Sequence, residues 1–248
     1  MWPFNSKAAV SITYDDGHDS NLDSVIPDLE DRGLRGTFFL TPSLGAVRRP
    51  EEWRSACRRG HEIANHTWDH PCDRLGTYSY EMFASEQTGK TEQWLNDHVG
   101  LYGIPGKPDD LRTYAYICGE ERLGTGTNVE ARARYLKLVQ ETFWAARSVA
   151  GGPATREQVL KNPYTIPAQA LTFGYESSDK AIEYCENAAA IGEWAVLIFH
   201  YIVEGKPQSA NDTNRQIHRE ILDYLADNSD KFWVAPFRDV VRHIRAQG

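Results

Sequence analysis

The sequence predicts an α/β fold of barrel type, with about seven parallel strands that alternate with helices. Short apolar runs alternate with segments of helical period along all 248 residues, which is typical of βαβ units. Several of these runs stop at polar side chains and turn residues, as buried parallel strands do. No linker, low-complexity tract or internal repeat divides the chain, so we expect one domain over residues 1–248.

The elements follow from local signals in chain order. Ser20 is expected to cap the first helix, Pro50 to start the second and Gly60 to end it. Residues 151–176 contain three prolines and no clear period, so an extended loop over the site is expected. The predicted strands are 8–15, 36–41, 61–67, 111–117, 142–148, 194–202 and 232–236; the predicted helices are 20–33, 50–60, 79–99, 128–139, 178–190, 214–225 and 238–246.

Composition excludes several classes of protein. The net charge is −8 and no block is rich in Lys or Arg, which argues against nucleic-acid binding. No apolar run approaches the ~20 residues that a membrane span requires. The residues before the first strand are too few for a signal peptide, so we expect a cytosolic protein or one whose leader has been removed.

The four cysteines show no metal-binding spacing. Cys57, Cys72, Cys118 and Cys185 form no CxxC motif, so four reduced thiols are the favoured interpretation. A disulfide between Cys72 and Cys118 is the less favoured alternative, because both lie just past strands that end at the same rim.

Two carboxylates end the first predicted strand. Asp15 and Asp16 follow the apolar run and precede Gly17. An Asx turn at a strand end explains such a pair without any function. Because neighbouring residues at a strand end point in different directions, the pair can also divide two roles, one carboxylate holding a metal and the other facing water. His18 follows Gly17; contact with a substrate is one interpretation of this residue, and exposure to solvent is the favoured one.

Two histidines follow the third strand. His66 and His70 lie four residues apart, so one helical turn brings both rings to one face. The pair alone fits structural histidines equally well. Together with carboxylates at another strand end, it predicts a divalent metal with two imidazoles, one carboxylate and open positions for water.

A further histidine lies at the mouth of a buried strand. His200 follows five apolar residues, Ala195 to Phe199. A hydrogen-bonded core histidine is one interpretation. A general acid is the other, because imidazole can donate a proton near neutral pH.

Three motifs resemble those of a known family. Residues 13–17, Thr-Tyr-Asp-Asp-Gly, resemble the T-[FY]-D-D-G motif of the polysaccharide deacetylases, carbohydrate esterase family 4, whose domain is called the NodB homology domain. Residues 66–70, His-Thr-Trp-Asp-His, resemble its H-[ST]-x-x-H motif, and residues 197–200, Leu-Ile-Phe-His, its late L-x-x-H motif. Their order and approximate spacing also match, over nearly the whole chain.

The resemblance implies a fold, a reaction and residue roles. The fold is a distorted, NodB-like (β/α) barrel, and the reaction is hydrolysis of an acetamide on a sugar, or of an acetyl ester in some members. Asp15 would be the general base and His200 the general acid. Asp16, His66 and His70 would hold the metal, usually zinc and sometimes cobalt or nickel.

The family's third motif, R-x-P-[YW], is only partly present. Residues 112–115, Arg-Thr-Tyr-Ala, keep the arginine and lack both the proline and the following aromatic residue. We expect Arg112 to orient Asp15 through a charge-assisted hydrogen bond. Tyr116 is expected to supply the missing aromatic wall of the substrate site.

The fourth motif, D-x-x-[DN]-W, lacks its tryptophan. Glu176 and Asp179 remain as alternatives to pair with His200. Trp68 is expected to stack on a sugar ring, although packing is an equal alternative. Arg147 ends a predicted strand at the active rim and is expected to help hold Arg112 or the substrate.

The expected partner is an acetylated sugar, oligosaccharide or polysaccharide. The sequence identifies neither the individual substrate nor the oligomeric state. One alternative is a metal-dependent hydrolase of cyclic imides or ureides on the same barrel, against which the intact Asp15–Asp16 pair and His200 argue. The other is a carbohydrate-binding protein with a vestigial site, against which the retained metal-ligand types argue.

Overall fold

A computed structural model describes residues 1–100, 111–170 and 177–248. Its strands are β1 Ala8–Asp16, β2 Thr37–Leu40, β3 Glu62–Asn65, β4 Thr113–Ala115, β5 Ala145–Arg147, β6 Gln169–Ala170, β7 Trp194–Phe199, β8 Tyr201–Val203, β9 Asp212–Asn214 and β10 Phe232–Val234. Its α-helices are α1 Ile26–Glu30, α2 Pro50–Arg58, α3 Tyr80–Phe83, α4 Lys90–His98, α5 Asn128–Thr142, α6 Arg156–Lys161, α7 Asp179–Ile191, α8 Arg215–Asp227 and α9 Phe237–Arg245.

One parallel sheet curls into the predicted barrel. Seven of its strands follow the order β5-β4-β3-β2-β1-β7-β6, and β10 pairs with the first residues of β1. A parallel bridge between Arg147 of β5 and Ile166, just before β6, links the two ends of this path. The prediction of an α/β barrel with about seven parallel strands is confirmed. Because all strands run in one direction, their carboxyl ends meet at a single rim.

Alternation along β1 separates the barrel interior from the layer beneath the helices. Val10, Ile12 and Tyr14 pack in the cluster that the helices cover. Ala9 belongs to a second cluster, together with Phe39 and other small and aromatic side chains of the strands. Since side chains alternate along a strand, Asp15 lies on the same side as Ala9, inside the barrel.

Most predicted elements form, and the differences are local. The segment 151–176, predicted to be a loop, contains α6 and β6, so that prediction is wrong. Ser20 does not cap a helix; its Oγ accepts a hydrogen bond from the N–H of Ile202. Thr127 caps α5 through a capping box with Glu130. Within the three described stretches, no helix has the length and apolar character needed to cross a membrane.

A buried carboxylate joins α1 to α8. Asp28 is 2% exposed and accepts hydrogen bonds from Arg215, at 2.8 and 3.0 Å, and from Arg219, at 2.9 Å. Burial alone would raise the pKa of Asp28. The hydrogen bonds and charges of the two arginines outweigh burial and lower that pKa to about 2. The ion pair therefore stabilises the folded state only while Asp28 is ionised.

We predict that Asp28→Asn lowers the free energy of unfolding by roughly 2–3 kcal/mol at pH 7, the value that a pKa depressed from about 3.9 implies. A carboxylate whose pKa is depressed in the folded state stabilises that state at pH values above its unfolded-state pKa. The difference in free energy of unfolding between wild type and Asp28→Asn should therefore shrink as the pH falls from about 4 to about 2. Urea unfolding across this pH range measures it.

Asp223→Asn is the matched control. Asp223 pairs with Arg32 between the same two helical regions, but its side chain is 55% exposed. Removing an exposed pair should change the free energy of unfolding by less than about 1 kcal/mol. An equal decrease in the free energy of unfolding of the two variants at pH 7 would contradict the conclusion that the buried Asp28 ion pair stabilises the fold more than the exposed one.

Candidate active site

Asp15 and Asp16 end β1 at the carboxyl rim of the barrel. Both are buried, at 2% and 7% exposure. Asp16 has a left-handed φ of 72° and Gly17 one of 76°, so the chain turns sharply after the strand. A side chain at Gly17 would also place its Cβ 2.7 Å from Leu40 Cδ2. This turn directs the two carboxylates to different partners.

Asp15 is held by Arg147. The Nη2 atom of Arg147 donates to both carboxylate oxygens of Asp15, at 2.5 and 2.6 Å, and both side chains are buried. The prediction that Arg112 orients Asp15 is therefore wrong, and so is the prediction that Arg147 holds Arg112 or the substrate. Alternation along β4 gives the reason: Ala115 lies inside the barrel, so Arg112 points to the surrounding helices.

Arg112 instead belongs to a network behind the second histidine motif. Its Nη1 donates to Asn96 Oδ1 at 2.6 Å and to Glu92 at 3.3 Å. Glu92 in turn accepts from Asn65 Nδ2 at 2.8 Å, and Asn65 Oδ1 accepts from the N–H of Thr67 at 2.9 Å. Arg112 thus supports the end of β3, which carries the two histidines.

The same alternation places Tyr116 in the core. Its side chain is 1% exposed and packs edge-on against Tyr114 and Tyr135, with ring centroids 5.6 and 4.9 Å apart. The predicted aromatic wall at the substrate site is therefore not formed by Tyr116.

His66 and His70 meet at the rim through a loop, and not through the predicted helical turn. Thr67 and His70 have left-handed φ values of 70° and 54°. The hydroxyl of Thr67 accepts from the N–H of His70 at 3.2 Å, and the two imidazole centroids lie 5.0 Å apart. His66 Nδ1 lies 2.9 Å from the carbonyl oxygen of Ala115. The ring of His66 is consequently fixed beside β1.

Three ligand atoms converge between these elements. Asp16 Oδ1 lies 3.8 Å from His66 Nε2 and 3.7 Å from His70 Nε2. These separations exceed hydrogen-bond length and approach the ~3.4 Å between neighbouring tetrahedral ligands about 2.1 Å from a zinc ion. Asp16 Oδ1 is buried and has no hydrogen-bond partner within the described ranges. A buried acceptor facing two imidazole nitrogens fits a divalent metal.

The electrostatics of the site favour a cation. Burial alone would raise the pKa values of Asp15 and Asp16. The charge of Arg147 outweighs burial at Asp15, and the hydrogen bond from His18 does so at Asp16. Together with the nearby imidazoles, these groups hold both pKa values below the ordinary range. Burial lowers the pKa of His66 to about 4. His66 is therefore neutral at pH 7, donates from Nδ1 to Ala115, and directs its Nε2 lone pair at Asp16.

His18 contributes to the site, although exposure to solvent was the favoured expectation for it. Its Nε2 lies 3.2 Å from Asp16 Oδ2, and its ring stacks on Tyr201 with centroids 3.3 Å apart. The side chain is 8% exposed, so the expectation that it faces solvent is wrong. By binding Oδ2, His18 leaves Oδ1 of Asp16 as the oxygen that faces the two metal-ligand candidates. The sequence signal for this role was the position of His18 directly after the Asp-Asp-Gly turn.

His200 follows β7 and faces Asp15. Its Nε2 lies 3.9 Å from Asp15 Oδ2, and its side chain is 16% exposed. Among the described residues, no partner binds its buried Nδ1 atom. Asp179 accepts from Ser177 Oγ at the start of α7, so the predicted Asp179–His200 pair is not formed. Glu176, the other alternative, lies outside the described residues.

Trp68 lies beside the histidines and borders a groove of about 620 Å³ that Gln93 and Trp94 also line. Lys90 Nζ lies 4.0 Å from the centroid of the Trp68 ring. Trp68 is thus partly exposed at the rim, where an aromatic ring is available to a ligand on the side away from Lys90.

Cys72 and Cys118 form a disulfide, with their Cα atoms 5.8 Å apart. The favoured prediction of four reduced thiols is therefore wrong. Cys72 follows β3 and Cys118 follows β4, and these strands are neighbours in the sheet. The pairing depends on that adjacency, which cysteine spacing alone does not reveal.

Comparison with known proteins agrees with the geometry. Residues 5–103 match the family model described as polysaccharide deacetylase. Over 99 residues, 40% of this chain and 34% of the relative, the sequence is 35% identical to a peptidoglycan-N-acetylglucosamine deacetylase of Bacillus cereus. Over 252 residues, 98% of this chain, it is 23% identical to a segment covering 10% of a gellan lyase of a Bacillus species. The chain thus spans between a tenth and about a third of these relatives.

Solved structures share the fold. A Mycobacterium smegmatis protein designated a polysaccharide deacetylase superposes with a TM-score of 0.68 at 19% identity, covering 100% of this chain and 93% of that one. The peptidoglycan deacetylase PdaC of Bacillus subtilis gives 0.56 at 17% identity, covering 99% and 95%. At these identities the likeness shows the barrel alone.

We predict that Arg147→Met raises the pKa of Asp15 by about 1–3 units, the range by which a neighbouring arginine typically lowers it. NMR titration of carboxyl-labelled, metal-free protein measures this value. Arg112→Met is the matched control and should leave the Asp15 value in place. A shift caused by Arg112→Met and absent in Arg147→Met would contradict the assignment.

Proposed function

We propose that this chain, whose residues 5–103 match the polysaccharide deacetylase family model, is a metal-dependent hydrolase that removes acetyl groups from a sugar or sugar polymer and releases acetate. The observation that carries the proposal is the convergence of Asp16 Oδ1, His66 Nε2 and His70 Nε2 beside the Asp15–Arg147 pair. A binding surface for sugars alone would not require an unpaired, buried carboxylate oxygen at this point.

Asp16, His66 and His70 would hold the metal, which we propose is zinc, with cobalt and nickel as the alternatives. Two imidazoles and one carboxylate leave positions open for water and substrate, as in catalytic zinc sites. When bound, such an ion supplies Lewis acidity, polarising a carbonyl group and making water more acidic.

Asp15 would act as the general base. Arg147 keeps the carboxylate ionised and fixes its plane through both oxygens. Asp15 Oδ2 lies 3.7 Å from His66 Nε2, so it borders the metal-ligand candidates without being one of them. It can therefore accept the proton of a water molecule that attacks the acetyl carbonyl.

His200 would act as the general acid. Its Nε2 faces the same oxygen of Asp15, from the far side of the rim, and its side chain reaches solvent. A proton from His200 to the leaving nitrogen or oxygen would complete the cleavage, because a nitrogen that leaves without this proton departs as an amide anion, which is a very poor leaving group.

The relatives support the proposed substrate class. The Bacillus cereus relative is named as a deacetylase of peptidoglycan N-acetylglucosamine. A relative from Cryptococcus neoformans, 32% identical over 90 residues, is named as a chitin deacetylase. Those 90 residues are 36% of this chain and 18% of the relative. We propose an N-acetylated or O-acetylated sugar polymer, with Trp68 stacking on a sugar ring beside the site.

We predict acetate release from at least one of four substrates: chitin oligomers, peptidoglycan, acetylated xylan or a small acetamido sugar. Activity should vanish after treatment with a strong chelator and return with added zinc. A hydrolase of cyclic imides would release no acetate, and a vestigial binding protein would show neither activity. Absence of acetate from all four with metal-loaded protein would overturn the proposal.

We predict that His200→Ala reduces amide hydrolysis by about 10²–10⁴-fold, the usual contribution of a positioned acid. The rate of hydrolysis of an activated aryl acetate should fall much less, because its phenolate leaves without a proton. Asp179→Asn, which alters a carboxylate that does not contact His200, should affect neither substrate. Equal losses on amide and ester in His200→Ala would assign the histidine a structural or oxyanion-binding role instead.

A further inference from the structure

A disulfide lies directly behind one of the proposed metal ligands. The Cys72–Cys118 bond joins the loop after β3, which carries His70, to the loop after β4. Cys72 Sγ lies 3.3 Å from His70 Nδ1, and Cys118 Sγ lies 3.9 Å from the same nitrogen. Both cysteines are exposed, so a reductant in solution can reach the bond.

The two histidine ligands have different supports. His66 Nδ1 is bound to the carbonyl oxygen of Ala115, the usual arrangement that fixes a ligand ring. Within the described part of the chain, the hydrogen-bonding contacts of His70 Nδ1 are to the two sulfur atoms. The disulfide thus occupies the place that a carbonyl or carboxylate oxygen takes behind most metal-bound histidines.

Residues beside the disulfide have unusual backbone conformations and few backbone contacts. His70 has a φ of 54° and Cys118 one of 61°, a region that non-glycine residues populate rarely. Upstream of His70 the loop is anchored from outside, because Gln87 Oε1 accepts from the N–H groups of Trp68 and Asp69, both at 3.2 Å. From His70 onward, the backbone contacts are the His70 N–H to Thr67 Oγ1 and the Cys72 N–H to the carbonyl oxygen of His70. Both lie within the loop itself. The disulfide ties this loop covalently to the neighbouring β4 loop.

We propose that the Cys72–Cys118 disulfide positions His70 for the metal, and that its reduction weakens metal binding at this site. The inference rests on the proposed function, since it concerns the same three ligands. A dithiol reductant transfers two electrons and two protons; the S–S bond breaks, two Cys thiols form, and the reductant becomes a disulfide. The two loops then separate, and the ring of His70 loses its fixed orientation toward Asp16.

The test compares zinc affinities of the full chain. We expect Cys72→Ala/Cys118→Ala to bind zinc about 10–100-fold more weakly than wild type, the effect usual for partners behind a metal ligand. Competition with a chromophoric chelator measures the affinity. Cys57→Ala, which changes a cysteine outside the disulfide, is the matched control and should bind as wild type does. Unchanged affinity in the double variant would overturn the inference.

A second measurement covers the case in which the double variant does not fold. Wild-type protein is reduced with dithiothreitol, freed of reductant without oxygen, titrated with zinc, and then reoxidised with oxidised glutathione. We expect the affinity to fall on reduction and to recover on reoxidation, while circular dichroism shows the fold unchanged. An unchanged or tighter affinity after reduction would overturn the inference, the latter because the freed thiols would then act as ligands.

His66→Ala separates failure of this inference from failure of the proposed function. If wild type binds zinc no more tightly than His66→Ala, the three-ligand site is not a metal site. Wild type binding much better than His66→Ala, with the double cysteine variant equal to wild type, would leave the metal site standing and remove the role of the disulfide.

Discussion

The placement of two adjacent carboxylates at the buried end of β1 constrains the rest of the site. Two buried negative charges one residue apart would repel each other and resist desolvation unless each had its own cationic partner or hydrogen-bond donor. Arg147 neutralises Asp15 through both oxygens, whereas His18 binds one oxygen of Asp16 and leaves the other without a partner within the described chain. The left-handed turn at Asp16 is what separates the two environments.

The barrel supplies the neighbours that this arrangement needs. Parallel strands bring the ends of β1, β3, β5 and β7 to one rim, although their residues are far apart in the chain. Arg147 of β5 therefore reaches Asp15, and His200 after β7 faces it from another side. The network of Arg112, Glu92 and Asn65 holds the end of β3 from behind. Contacts among side chains outside the barrel thus support the strand end that precedes the two histidines of the site.

Local patterns were sufficient for the strands and for the carboxylate and histidine ligand candidates, because each of these residues follows its own apolar run. The identity of the arginine on Asp15 was not predicted, since the motif pattern favoured Arg112 over Arg147. Alternation along β4 contained the answer: it sends Arg112 and Tyr116 outward together, whereas Arg147 ends β5 facing inward. The burial of His18 and the Cys72–Cys118 bond depend on distant partners, namely Tyr201 and the β3–β4 adjacency, which no local pattern contains.

The central claim is that Asp16 holds a metal while Asp15 moves a proton. Calorimetric zinc titration of Asp15→Asn and Asp16→Asn, each paired with an acetate-release assay, tests it most directly. The division of roles between Asp15 and Asp16 predicts that Asp15→Asn binds zinc with an affinity close to wild type and releases no acetate. It predicts that Asp16→Asn loses both zinc binding and acetate release. Loss of zinc in Asp15→Asn with retention in Asp16→Asn would contradict the account and exchange the two roles.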